Sequence, residues 1–106
     1  MKRLAAVILL GVATLIAQTN RGSISGTVVD QTGAIVPGAS VTIVSEGTNQ
    51  TRKITGAQNG TFLAADLEPV AYRVTVTAPG FAETVVEGVK VDTASTATVN
   101  VTLQTG

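Results

Sequence analysis

The sequence contains no cysteine, no histidine and no tryptophan. Without cysteine there is no disulfide framework, so an exported form must be held together by packing alone. Without histidine the commonest general base and the commonest metal ligand are both missing. No zinc-ligand spacing can be built from what remains. Aromatic residues are almost absent: Phe62, Tyr72 and Phe81 are all there are. Stacking platforms for bases or sugars have little material. Seven basic residues balance seven acidic ones. With no basic stripe, nucleic acid is excluded as an expected partner.

What is present is Val, Ala, Leu, Ile and Thr. Valine, isoleucine and threonine are stiff at χ1 and suit a pleated, half-buried surface. The chain of 106 residues has room for one domain.

The first 17 residues stand apart. Lys2 and Arg3 precede an uncharged run of 14 residues from Leu4 to Ala17, and Gln18-Thr19-Asn20 then turns polar. That is the pattern of a secretory signal peptide with cleavage after Ala17. A spanning helix needs roughly 20 apolar residues, more than this run supplies. Losing Lys2 and Arg3 leaves five basic and seven acidic residues, a net charge of −2. Residues 18–22 are expected to be a flexible leader, and residues 23–104 the folded domain.

The stretch from Gly26 to Ile43 sets the pattern for the rest. Ile24, Gly26 and Val28 alternate with Ser23, Ser25 and Thr27, a period-2 strand signal. Asp30, Gly33 and Pro37-Gly38 supply turn chemistry. Ala39, Val41 and Ile43 begin a second inner face, and residues 46–49 form a loop. Gln50–Thr55 is a weaker strand whose Arg52 and Lys53 mark an edge. Asn59-Gly60 is a hairpin signal with positive φ allowed at both turn positions. A short strand follows over Thr61–Ala64 with Phe62 inward, then a corner over Asp66–Ala71. Tyr72, Val74 and Val76 alternate with Arg73, Thr75 and Thr77. Pro79-Gly80 turns the chain, and Phe81 caps the core. Ala82–Val91 reads as one long or bent strand, with Gly88 as the place for a break. Ala97, Val99, Val101 and Leu103 face inward along the last. About seven strands at this spacing predict an all-β sandwich.

The ordered set Gly26–Asp30, Gly33, Pro37-Gly38-Ala39, Gln58–Phe62, Leu67-Glu68-Pro69, Tyr72–Val76 and Ala78–Phe81 resembles the carboxypeptidase regulatory-like domain. The resemblance spans Ser23 to Leu103. It implies a seven-stranded Greek-key sandwich of the transthyretin-like or immunoglobulin-like kind. Behind a signal peptide, the module is similar to the N-terminal extension of Oar-like TonB-dependent outer-membrane receptors. Two positions depart from the family pattern: Ala57 stands where an Asp is common, and Val70 follows Pro69 where Gly is favoured. No plug or barrel follows Gly106, so the chain is expected to be a fragment, a truncated product or a free-standing domain.

The polar residues invite few sites. Tyr72 is either the tyrosine of a corner, bonded to backbone near Leu67, or an ordinary core-edge residue with a wet hydroxyl. Asp30 reads as turn chemistry, since calcium needs further oxygen ligands and no second carboxylate is close. Asp66 and Glu68 lack a nucleophile or histidine beside them and read as solvated. Asn49, Asn59 and Asn100 open Asn-x-Thr triplets, which a threonine-rich chain produces by chance. Asn100 has no lysine on the first strand for an isopeptide bond.

The expectation is therefore a noncatalytic exported β-sandwich module in the periplasm or at the surface of a Gram-negative-type bacterium. No catalytic, cofactor-binding or metal-binding residue is assigned, and no cofactor. The implied partner is another protein or the rest of an outer-membrane receptor. The alternative is a carbohydrate-binding or adhesion module of the same fold. A monomer is expected. If an edge docks a partner, Gln50–Thr55 is the candidate, and proline at Ile54 is the substitution expected to block it.

Overall fold

The computed structural model describes residues 20–106, so the expected signal peptide over residues 1–17 lies outside the described residues. Eight strands and no helix make up this part. They are β1 (Gly22–Asp30), β2 (Ser40–Ser45), β3 (Thr51–Thr55), β4 (Thr61–Leu67), β5 (Ala71–Thr77), β6 (Thr84–Lys90), β7 (Thr96–Thr98) and β8 (Val101–Leu103).

Two sheets face each other. In the first, β1 is central, antiparallel to β4 on one side and parallel to β7 and β8 on the other. The second is fully antiparallel, in the order β3-β2-β5-β6. Alternation places each inner face as expected. Ile24, Val28, Phe62, Ala64, Val101 and Leu103 meet Val41, Ile43, Tyr72, Val74 and Val76, all buried. Each large aliphatic side chain buried this way is worth about 1.5–3 kcal/mol before chain entropy is set against it. Ile54 and Phe81 pack against this core half-buried.

Four features differ from the sequence expectation. The last strand is two short pieces, β7 and β8, interrupted at Val99-Asn100. Both pieces keep the same register on β1, so the interruption is a local distortion and not a slip. The ladder runs on as far as the Val99 N–H, which donates to the Ser25 carbonyl at 2.7 Å, and the Val99 carbonyl then lies over Gly26.

Asn59-Gly60 does not close a hairpin between paired strands. It links β3 of one sheet to β4 of the other. Only Gly60 takes positive φ, at 83°. The tight turn lies one residue earlier, with the Gly60 N–H donating to the Ala57 carbonyl at 3.0 Å. Asn59 instead uses its side chain, whose Oδ1 accepts from the Thr61 N–H at 3.1 Å and from its hydroxyl at 2.7 Å. The local chemistry does reverse the chain, but which sheet the next strand joins is a tertiary outcome.

Strand β4 runs to Leu67, past Ala64, before the corner. Strand β6 starts only at Thr84 and is not broken at Gly88, which takes positive φ (69°) within the strand. The chain just before β1 is also tied down. Arg21 accepts from the Ala94 N–H at 2.9 Å, and Gly22 already belongs to the strand.

Candidate functional site

The polar side chains of the described residues gather at three places. The first is the corner between β4 and β5. Tyr72 begins the buried row of β5 and is 5% exposed. Its hydroxyl donates to the Glu68 carbonyl at 2.8 Å. That is the tyrosine-corner arrangement, so of the two alternatives for Tyr72 the structure selects this one. Burial raises the phenol pKa above its ordinary 10.0, and the Glu68 carboxylate pushes the same way. Tyr72 is thus a neutral donor fixed on backbone.

Arg52 reaches the same corner from the other sheet. Its guanidinium donates to the Ala65 carbonyl at 2.8 Å and toward the Asp66 carbonyl at 3.4 Å. Asp66 sits at φ 60°, a left-handed conformation that turns its carbonyl outward. Asp66 and Glu68 therefore serve this corner through main-chain oxygens. Their residues are exposed, as the sequence suggested. The sequence marks Arg52 only as edge charge. Its carbonyl partners lie in a strand of the opposite sheet, and no sequence spacing announces that.

Arg21, Gln50, Arg52, Asp66, Glu68 and Tyr72 line a cleft of about 80 Å³ at this corner. Sites for small organic molecules usually measure about 300–1,000 Å³. The cleft carries charges of both signs. Its one aliphatic hydroxyl, on Thr51, points to the Asn49 carbonyl at 3.4 Å and not to a base that could activate it.

The second place is the turn after β1. Asp30 Oδ1 accepts from the Thr32 N–H at 2.8 Å, the Thr32 hydroxyl at 2.7 Å and the Ala34 N–H at 3.0 Å. These bonds, the Thr32 hydroxyl first, hold its carboxyl below the ordinary 3.8. The carboxylate is engaged by its own turn, as the turn reading of Asp30 required. Among the described residues no group of three His, Cys, Asp or Glu side chains comes together. Asn49 sits at φ 61° in the β2–β3 loop, and Asn100 is exposed at the interruption between β7 and β8.

The third place is the outer face of the second sheet. Ser40, Thr42, Lys53, Thr55 and Thr77 border an open trough of about 370 Å³ there, lying across β3, β2 and β5.

Comparison with known proteins follows the fold. The model of the carboxypeptidase regulatory-like domain family matches residues 23–104. No curated protein sequence matches. Among solved structures, wild-type catechol 1,2-dioxygenase of Acinetobacter radioresistens superposes with a TM-score of 0.63 at 16% identity, over 83% of this chain and 53% of that one. A streptococcal ancillary pilin gives 0.62 at 20% identity, over 82% and 33%. A carbohydrate-binding candidate from Bacteroides uniformis gives 0.60 at 23%, over 76% and 40%. At these identities the likeness is one of fold. The chain spans about half or less of each of these proteins.

Proposed function

The chain belongs to the carboxypeptidase regulatory-like domain family, and from that premise we propose that it is a noncatalytic accessory module working through its surface. One observation carries this. The side chains best suited to chemistry are consumed by the scaffold: Asp30 by its turn and Tyr72 by its corner. What is left outside is a sandwich whose strands turn mainly serine and threonine outward. Such a surface supports binding in an assembly better than turnover.

The fuller form of the proposal is an exported module, the N-terminal periplasmic extension of a TonB-dependent outer-membrane receptor or a fragment of one. The charged start and apolar run of residues 2–17 support export. The genomic sequence beyond the Gly106 codon tests the receptor form. An in-frame plug and barrel is the expected result. A stop codon directly after Gly106 would defeat the receptor form and leave a free-standing module. The noncatalytic form is tested separately, by incubating the purified protein with peptidase and glycosidase substrates. Turnover above buffer, removed by a single substitution within residues 23–104, would defeat it.

The pilin and carbohydrate-binding neighbours raise a second reading, adhesion or sugar binding. It is the weaker one. Phe62 and Tyr72 are buried and Phe81 is half-buried against the core, which leaves no aromatic platform for a sugar ring among the described residues.

A further inference from the structure

The sandwich has four strand edges, and three of them are blunted. On β4, the Thr61 N–H donates to Asn59 Oδ1 at 3.1 Å, the Thr61 carbonyl accepts from Ala57 at 2.8 Å, and the Ala65 carbonyl accepts from Arg52 at 2.8 Å. On β6, a register shift opposite Tyr72–Val74 and the positive φ of Gly88 bend the edge. Strands β7 and β8 are three residues each, and the chain after β8 is occupied: Ala82 donates to the Gln104 carbonyl at 2.7 Å and Gly106 to the Gly80 carbonyl at 3.2 Å.

Strand β3 differs. It pairs with β2 from Thr51 to Thr55 without a shift. The Gly56 N–H donates to the Ala39 carbonyl at 2.8 Å, and the Ser45 N–H to the Gln50 carbonyl at 2.9 Å. These two bonds fix the phase of the ladder. Antiparallel alternation then turns the main-chain groups of Arg52 and Ile54 toward β2, and those of Thr51, Lys53 and Thr55 outward. The outward groups form an open row along the free edge of the second sheet.

We propose that this row docks an extended segment of another protein, added as a further strand beside β3 and carrying an acidic residue opposite Lys53. The inference rests on the reading of the chain as a binding module. Charge selects the occupant. Arg52 and Lys53 lie in a stretch, Gly47 to Ala65, without one acidic residue. A second copy of this chain, paired about a two-fold axis at Lys53, would set lysine against lysine, a destabilising cross-strand pair. An acidic side chain there is favourable. On the inner side the new strand meets half-buried Ile54, so its neighbouring residue is apolar. Strand addition of this kind takes affinity from main-chain bonds and selectivity from alternate side chains.

The phase also identifies the position to test. Proline at Ile54 would remove a bond to β2 and disturb the fold. Proline at Lys53 removes an outward N–H instead. The experiment is a titration of 15N-labelled protein with a capped heptapeptide alternating valine and glutamate. The same peptide with lysine for glutamate serves as comparator. Shifts and slowed exchange at the amides of Thr51, Lys53 and Thr55 are expected, with the glutamate peptide preferred. Lys53→Pro should abolish them. Lys53→Glu, which leaves the backbone intact, should reverse the preference, each pairing contributing about two- to fivefold. Millimolar glutamate peptide that moves none of these three amides would overturn the proposal. So would an unchanged preference in Lys53→Glu, or self-association through the same amides without peptide. Peptide cleavage, read by mass spectrometry of the same samples, would count against the noncatalytic reading and not against the edge.

Discussion

The carbonyl of Val99 fills the space in which a side chain on Gly26 would sit. Gly26 lies buried in the middle of β1, at the point where the last strand is interrupted, and the Phe62 ring closes the same space from β4. The parallel pairing of the first and last strands thus depends on a residue without a side chain. Gly26→Ala should destabilise the domain by about 1–3 kcal/mol or more, since backbone has to move. Gly47→Ala, where nothing lies within 4 Å, should stay within about 0.5 kcal/mol of the parent. Urea unfolding of the two variants checks the pair.

Gly33 and Gly38 are needed for a different reason. Both have open space around them but positive φ, 88° and 70°. A side chain there is strained by its own backbone, at about 1–2 kcal/mol. Gly33→Val and Gly38→Val should lower stability and leave peptide docking at β3 unchanged. A fully stable variant that had lost a binding activity would show that this stretch is more than scaffold.

These glycines also mark what could be read from the sequence. Gly33 and Gly38 stand among turn residues, and a turn is local, so their conformation was legible. The inner faces were legible too, because period 2 follows from strand geometry whichever strand is next door. The role of Gly26 was not. It depends on Val99, which is distant in the chain and touches it only because the last strand returns parallel to the first. Arg52 is similar: its charge announced an edge, but its hold on the Ala65 carbonyl needs both sheets in place. Asn59-Gly60 announced a reversal and could not say that the reversal changes sheets.

Tyr72→Phe removes the bond to the Glu68 carbonyl while keeping the ring. A loss of about 1 kcal/mol is expected. The pH dependence is the sharper test. The folded phenol has its pKa raised above the ordinary 10.0, so the unfolded chain releases this proton first. The corner's contribution is full below that value and is lost as pH rises above it, toward the folded pKa. Unfolding midpoints measured across the alkaline range should fall in the parent and fall less in Tyr72→Phe.

Asp30 gives the opposite sign. Its folded pKa lies below 3.8, chiefly through the Thr32 hydroxyl. The turn is stabilised above that ordinary value, and the contribution is lost as pH falls through the folded pKa. Asp30→Asn keeps an acceptor oxygen without a charge to titrate. Its stability should depend less on pH below 3.8 than that of the parent, by thermal unfolding at fixed salt.

Arg52 connects stability to edge protection. Its guanidinium bonds to the Ala65 carbonyl across the open side of the sandwich, joining β3 of one sheet to the edge of β4 in the other. Removing it has two separable effects. The bond itself is solvent-exposed, so Arg52→Ala should lower stability by at most about 1 kcal/mol. The edge of β4 would also lose its cover beside Leu63, which is 61% exposed. A second open edge next to an exposed leucine favours pairing between chains. Arg52→Ala should therefore associate at concentrations where the parent stays monomeric, as read by sedimentation velocity. Arg52→Lys keeps the charge but lacks the planar fork that meets two carbonyls, so it should behave more like the alanine variant than like the parent. Equal sedimentation behaviour in all three proteins would show that Arg52 does not guard this edge.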